Sequence, residues 1–356
     1  MSEKVLVIDD SALMRKHIRQ ILESQGFDVE TARNGQEGLE KIKSYDPSVV
    51  SLDINMPVMD GITCLSHIMT EAPRPVVMVS SLTEKGALAT FEALELGAVD
   101  YVAKPGGTVS LNIKEVSDEL VGKIAQAAKA RVGSQSSLRN RLRIQREKAE
   151  VEPTRPKSRI NKHASDAPEL ILVGVSTGGP GTVEKIVDQL PTDFGVPIVI
   201  AQHMPERFTQ VFAERLNRSS PLTVIEVTRP VRLEAGHVYI AKGDNDIKII
   251  TRAGRLMASS VPPSTEHVWH PSVERLVESA MTLVDPKKLI CVQLTGMGND
   301  GAYAMTKAHK AGAKTIAESE ATAVVYGMPK ELVAQGGAQE VLPNNRIADQ
   351  LLKWAY

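Results

Sequence analysis

From Lys4 to about residue 130, short apolar runs of β-branched residues alternate with stretches whose apolar positions recur at helical spacing. The runs are "KVLVIDD", "FDVETA", "SVVSLDI", "PVVMVSS" and "DYVAKP". This alternation predicts five parallel strands with helices between them, an α/β unit over residues 1–130. Between residues 131 and 167 the periodicity disappears, ten Lys or Arg stand against four Asp or Glu, and a basic flexible linker is expected. Strand patterns return at "LILVGVS", "PIVIAQH", "HVYIA", "DIKIIT" and "LICVQLTG", interleaved with "PGTVEKIVDQL", "PERFTQVFAERLN" and "HPSVERLVESAM". Residues 168–356 are therefore expected to form a second, doubly wound and mostly parallel α/β domain.

Composition narrows the function. A chain of 356 residues, 42% hydrophobic, is long enough for two cores. Its formal net charge of -1 gives no general attraction to nucleic acid, so no nucleic-acid partner is expected. Cys64 and Cys291 lie far apart in apolar segments, the usage of a reduced protein without disulfides. The start "MSEKVLVIDD" has no leader pattern, and no run approaches the length of a membrane span. A cytoplasmic monomer with no direct membrane insertion is expected.

In an open parallel sheet, functional groups collect at the carboxyl ends of the strands. In the first domain these ends carry Asp9 and Asp10, Asp53, Ser80 and Lys104. Carboxylates gathered there repel unless a cation joins them, and hard oxygen ligands suit Mg²⁺. Lys104 adds an ammonium suited to pairing with an anion. The stretches "VLVIDDS", "SLDINMPVMDG", "VVMVSS" and "DYVAKP" together resemble the receiver domain of bacterial response regulators, a five-stranded parallel flavodoxin-like fold. The resemblance implies that a histidine kinase phosphorylates Asp53, and that Asp9, Asp10 and the backbone carbonyl of Asn55 hold Mg²⁺ beside it. It further implies that Ser80 and Lys104 contact the phosphoryl group and that Tyr101 is an aromatic switch.

The second domain opens with "LILVGVSTGGPGTVEKI". A dinucleotide loop would show G-x-G-x-x-G and a P-loop would end in Gly-Lys-Ser/Thr, and neither is present. The related G-x-x-x-G-x-G spacing fails at Pro180, whose fixed φ and missing N–H spoil close approach to a phosphate. Gly174 to Gly178 instead match G-x-S-x-G on a strand-to-helix turn, which lifts the Ser176 hydroxyl above the sheet. A serine there needs a base. His203 ends the next strand, and Asp300 stands in the glycine-rich "MGNDGA" after a further one. Ser176, His203 and Asp300 can converge as nucleophile, base and orienting carboxylate, in a chain order unlike that of the α/β-hydrolases. His267 and His270 in "EHVWHPSVERL" lack a third ligand, and Pro271 places His270 before the helix start, so metal binding is not expected of them.

With "GVSTGGP", "AQHMP", "TGMGNDGA" and "VVYGMP" behind a receiver, the chain resembles the chemotaxis protein-glutamate methylesterases of the CheB family. The resemblance implies an esterase without a cofactor at its active site, with backbone groups near Thr177 and Met297 holding the oxyanion. It also implies methyl-accepting chemoreceptors as substrate, through glutamate γ-methyl esters and specific glutamines, and a chemotaxis histidine kinase as phosphodonor. Two other readings stay open at this level. One is a receiver-controlled nucleotide-binding module, and the other a catalytically silent signalling scaffold.

Overall fold

The computed structural model describes residues 2–81, 83–104, 113–130 and 167–356. The chain divides into two compact units, Met1–Thr154 and Arg155–Tyr356. The expected linker at 131–167 falls almost wholly outside the described residues. No described helix is long and apolar enough to cross a membrane.

In the first unit, β1 (Lys4–Ile8), β2 (Asp28–Ala32), β3 (Val49–Asp53), β4 (Val76–Ser80) and β5 (Asp100–Ala103) form one parallel sheet in the order β2-β1-β3-β4-β5. Strands β3, β4 and β5 are buried along their whole length, as expected of strands covered by helices on both faces. Four of the helix starts carry their own stop signal for the preceding loop. Ser11, Asn34, Asp60 and Thr83 accept hydrogen bonds from Met14, Glu37, Thr63 and Gly86 N–H groups, capping the helices Ala12–Ser24, Gly35–Tyr45, Gly61–Glu71 and Glu84–Leu96. A fifth helix, Ile113–Ala127, completes the unit. The strand order reverses between β1 and β3, and Asp9 and Asp53 sit at that switch point. At Gly61 a Cβ would run into the carbonyl of Asp53, so only glycine lets the Gly61–Glu71 helix start this close to the carboxylate.

The second unit has a seven-stranded, wholly parallel sheet in the order β15-β14-β13-β6-β7-β10-β8. Its strands are β6 (Leu170–Val175), β7 (Ile198–Gln202), β8 (Thr223–Val227), β10 (His237–Ala241), β13 (Leu289–Gln293), β14 (Lys314–Glu318) and β15 (Glu340–Leu342). The chain builds outward from β6 through β7, then returns to the other side of β6 with β13, so β6 and β13 flank the switch point. "DIKIIT" does not join this sheet. It forms β11 (Asp246–Arg252), which pairs antiparallel with β12 (Arg255–Val261), and β12 pairs in turn with β9 (Val231–Arg232). The cause is local: Ala253 and Gly254 both take positive φ, 50° and 69°, in a two-residue loop that folds β12 straight back on β11. Cys64 and Cys291 are free and buried, and burial pushes both thiols up to about 12.

Candidate active site and candidate phosphorylation site

In the second unit, β6 and β7 pair with Val175 opposite Gln202, and the His203 N–H donates to the Val175 carbonyl at 3.0 Å. Ser176 and His203 are thus the first residues beyond two neighbouring strands. The Gln202 amide donates to the Ser176 carbonyl at 3.0 Å and ties the two ends together. After Ser176 the chain turns at once: Gly178 takes φ 73°, and the Gly179 N–H returns to the Ser176 carbonyl at 2.8 Å. Pro180, which disqualified a phosphate loop, lies buried in the first turn of the Gly179–Val187 helix, where a missing N–H costs nothing.

The His203 ring is nearly buried, and its Nε2 lies 2.8 Å from Asp300 Oδ2. Its Nδ1 is buried with no hydrogen-bond partner among the described residues. Trp269 stacks on the imidazole face with ring centroids 5.2 Å apart and planes 7° from parallel, which fixes the plane of the ring. Asp300 also accepts from Ser272 Oγ at 3.2 Å, Val273 N–H at 2.7 Å and Glu274 N–H at 3.0 Å. Burial pushes this carboxyl upward, but His203 and the two backbone donors outweigh it and hold the group below the ordinary aspartate value.

The loops after β6 and β13 are locked by Thr295. Its carbonyl accepts from the Ser176 N–H at 2.9 Å, and its hydroxyl donates to the Thr177 carbonyl at 2.8 Å and accepts from the Val325 N–H at 3.0 Å. Its own N–H donates to Glu318 at 2.9 Å, a carboxyl that burial raises. Thr177, proposed from sequence for the oxyanion, is buried in this lock, and Met297 lies half-buried between Gly296 and Gly298 in the facing loop. At Gly296 a Cβ would come within 2.6 Å of the Ser176 Cβ, so glycine is required for the two loops to approach.

Asp246 carries no motif in the sequence, and of the side chains around it only His270 is considered there, as a metal ligand. Asp246 is wholly buried and accepts from His270 Nδ1 at 2.9 Å, Arg275 at 2.6 Å, Ser264 N–H at 2.9 Å and Ser272 N–H at 2.9 Å. Burial raises its pKa, yet His270 and Arg275 bring it below the ordinary value. His270 therefore braces the loop that delivers Trp269 and Ser272, while His267 takes no part in that brace. An acidic residue in an amphipathic strand carries no local sign that its partners come from a loop beyond the hairpin. Asp246, Ser272, Glu274 and Trp269 could not have been found by motif.

In the first unit, Asp9, Asp10 and Asp53 are the one group of three or more His, Cys, Asp or Glu side chains among the described residues with ligand atoms all within 4.8 Å of one another. Lys104 Nζ lies 2.8 Å from Asp53 Oδ2 and 3.0 Å from Asp9 Oδ2. Burial pushes the Asp53 carboxyl above its ordinary value despite this ammonium. Asn55 is exposed just past β3. The buried Ser80 hydroxyl donates to the Gly86 carbonyl at 3.1 Å and is turned toward the Glu84–Leu96 helix. Tyr101 is buried, with Lys123 Nζ 4.9 Å from its ring centroid and donating to its carbonyl at 2.6 Å.

Comparison with known proteins agrees with both halves. The family model described as CheB methylesterase matches residues 171–351, and that of the response regulator receiver domain matches residues 5–114. A protein-glutamate methylesterase/protein-glutamine glutaminase of Rhodospirillum rubrum is 52% identical over 354 residues, covering 99% of this chain and 96% of the relative. One of the same name from Rhodopseudomonas palustris is 49% identical over 357 residues, covering 99% and 98%. The crystal structure of the Thermotoga maritima CheB methylesterase catalytic domain, 36% identical, superposes with a TM-score of 0.51 and covers 52% of this chain and 98% of that one.

Proposed function

The chain belongs to the CheB methylesterase family, with a response regulator receiver domain ahead of the catalytic one, and from that premise we propose a phosphorylation-activated hydrolase acting through Ser176, His203 and Asp300. It demethylates glutamate γ-methyl esters on chemoreceptors and deamidates glutamines by the same path. The nucleotide-module and silent-scaffold readings are not favoured by this membership. The observation that carries the assignment is the imidazole of His203: Nε2 is committed to Asp300, and the unpartnered, buried Nδ1 belongs to the residue beside Ser176.

Ser176 Oγ attacks the ester carbonyl while His203 Nδ1 takes its proton. The developing imidazolium is held through Nε2–H by Asp300, whose low pKa keeps it a carboxylate. His203 then passes the proton to departing methanol, or to ammonia from a glutamine, and water activated by the same nitrogen cleaves the glutamyl-enzyme. Backbone N–H groups near Thr177 and Met297 receive the oxyanion, pre-set by the Thr295 lock. In this assignment the ring nitrogens exchange the roles they have in the chymotrypsin triad.

In the receiver, Asp53 accepts the phosphoryl group from a histidine kinase. The donor set fits Mg²⁺: hard carboxylate oxygens of Asp9, Asp10 and Asp53 lie within reach of one ion, and the Asn55 backbone carbonyl would be a further oxygen ligand. Bound there, the ion would neutralise charge on the phosphoryl oxygens. Lys104, already paired to Asp53, and Ser80, whose hydroxyl would have to leave Gly86, then contact the new group, and Tyr101 responds.

The test is methanol release from methylated receptor membranes. Ser176→Ala should lose on the order of 10⁶-fold in kcat with an unchanged circular dichroism spectrum. A rate within tenfold of the parent would overturn the assignment.

A further inference from the structure

Two helices begin beside the proposed catalytic carboxylate, and each is capped by an acidic residue belonging to the other. The helix Ala302–Lys310 starts after Gly301, which has no side chain to cap it. The missing acceptor is Glu274, whose Oε1 accepts from the Gly301 and Tyr303 N–H groups at 3.1 and 3.0 Å and whose Oε2 accepts from Ala304 N–H at 2.7 Å. Glu274 itself lies in the first turn of the helix Val273–Met281. The opening N–H groups of that helix, Val273 and Glu274, donate to Asp300, which directly precedes Gly301. The exchange is reciprocal. Asp300 caps the helix that carries Glu274, and Glu274 caps the helix that Asp300 leads into.

This geometry matters because a carboxylate orients an imidazole only if it cannot itself turn. Asp300 has its backbone in the turn that leads into one helix and its carboxylate bonded to the start of the other, so any slip between the two helix ends moves it relative to His203. Glu274 is the side chain that resists that slip from the opposite direction. The positive ends of two helix dipoles also meet here and favour negative charge. Asp300 titrates below its ordinary value, whereas burial, with the charge of Asp300 beside it, pushes the Glu274 carboxyl above its own despite the Ala304 and Tyr303 N–H donors. We propose that Glu274 is a positioning residue for catalysis, clamping Asp300 in the orientation that directs His203 toward Ser176. The proposal rests on the assignment of Asp300 as the orienting carboxylate.

The experiment compares the full-length parent with Glu274→Gln, Asp300→Asn and the double variant, by kcat and KM for methanol release and by thermal melting. A glutamine amide turns one acceptor into a donor facing an N–H, so the clasp loses one side while volume is kept. A misplaced Asp300 should lower kcat roughly ten- to hundredfold with KM held within about twofold. In the Asp300→Asn background the same substitution should change kcat by less than about twofold, because the residue it positions is already disabled. A lower melting temperature with unchanged kcat would reduce Glu274 to a helix cap and overturn the proposal. So would a loss of kcat that repeats in full on top of Asp300→Asn. If Asp300→Asn alone leaves the rate intact, the triad assignment fails instead, and the proposal with it. Should Glu274→Gln not fold, Glu274→Asp, which keeps the charge but withdraws it by one methylene, is read in the same way.

Discussion

Four donors converge on Asp300, and their cost and benefit can be separated by pH. The folded carboxyl titrates below its ordinary value, so its contribution to stability is fully present above the unfolded aspartate pKa of about 3.9 and is lost as pH falls through the folded value. Chemical denaturation of the parent and of Asp300→Asn should therefore differ by a constant amount above about pH 5, and the gap should narrow progressively as pH falls below the unfolded value of about 3.9 and through the folded one. A gap that stays open in acid would show that the charge of Asp300 is not what the Val273 and Glu274 donors stabilise. At this scale the sequence placed Ser176, His203 and Asp300 at strand ends or just beyond them, because strands end where apolar runs end. It could not show Asp246, Trp269 or Glu274, since a hydrogen-bond partner on another element leaves no mark on the spacing around a residue.

At the scale of elements, the site is an approach of loops rather than a single motif. The turn after β6 and the loop after β13 come close enough that Gly296 has no room for a side chain against Ser176 Cβ and Met328 Sδ, at 2.6 and 2.5 Å from where its Cβ would stand. Its φ of 158° is also one that other residues rarely adopt. Gly296→Ala should cost about 1–3 kcal/mol of stability and push the loops apart. A fall in melting temperature accompanied by at least a tenfold drop in kcat is expected from such a displacement. Full activity in a destabilised Gly296→Ala would mean that the loop spacing does not set the nucleophile. The parallel strands were legible here because a helix-covered strand is apolar throughout. "DIKIIT" gave the same apolar signal but lies in an antiparallel hairpin, and the deciding feature was the backbone of Ala253 and Gly254 rather than the strand itself.

At the scale of the whole molecule, the expected behaviour is control of the esterase by the receiver. A phosphoryl group adds roughly two negative charges beside Lys104 and supplies acceptors for the Ser80 hydroxyl, which now donates to Gly86 at 3.1 Å. Moving that hydroxyl perturbs the start of the Glu84–Leu96 helix, and β4, which ends in Ser80, pairs with β5, the strand that carries Tyr101. Any surface built from that helix then has two states, and phosphorylation shifts the population between them. Full-length protein with Mg²⁺ and a small-molecule phosphodonor should release methanol faster than without, with tenfold corresponding to about 1.4 kcal/mol of differential stabilisation. Asp53→Asn should abolish the increase. Activation that persists undiminished in Asp53→Asn would place the switch elsewhere.

The sequence by itself determined the alternation of strands and helices in both units, the carboxyl ends that bear Asp9, Asp53, Ser176 and His203, and the choice of a nucleophile turn over a phosphate loop. Those are local properties: apolar periodicity, glycine where the backbone must turn, proline where an N–H is dispensable. Only the tertiary structure decided which nitrogen of His203 meets Asp300, that Trp269 lies flat on the ring, and that Glu274 and Asp300 cap each other's helices. These depend on how separate elements pack, and a donor whose acceptor arrives from another helix is chosen by that packing, with no trace in its neighbours along the chain.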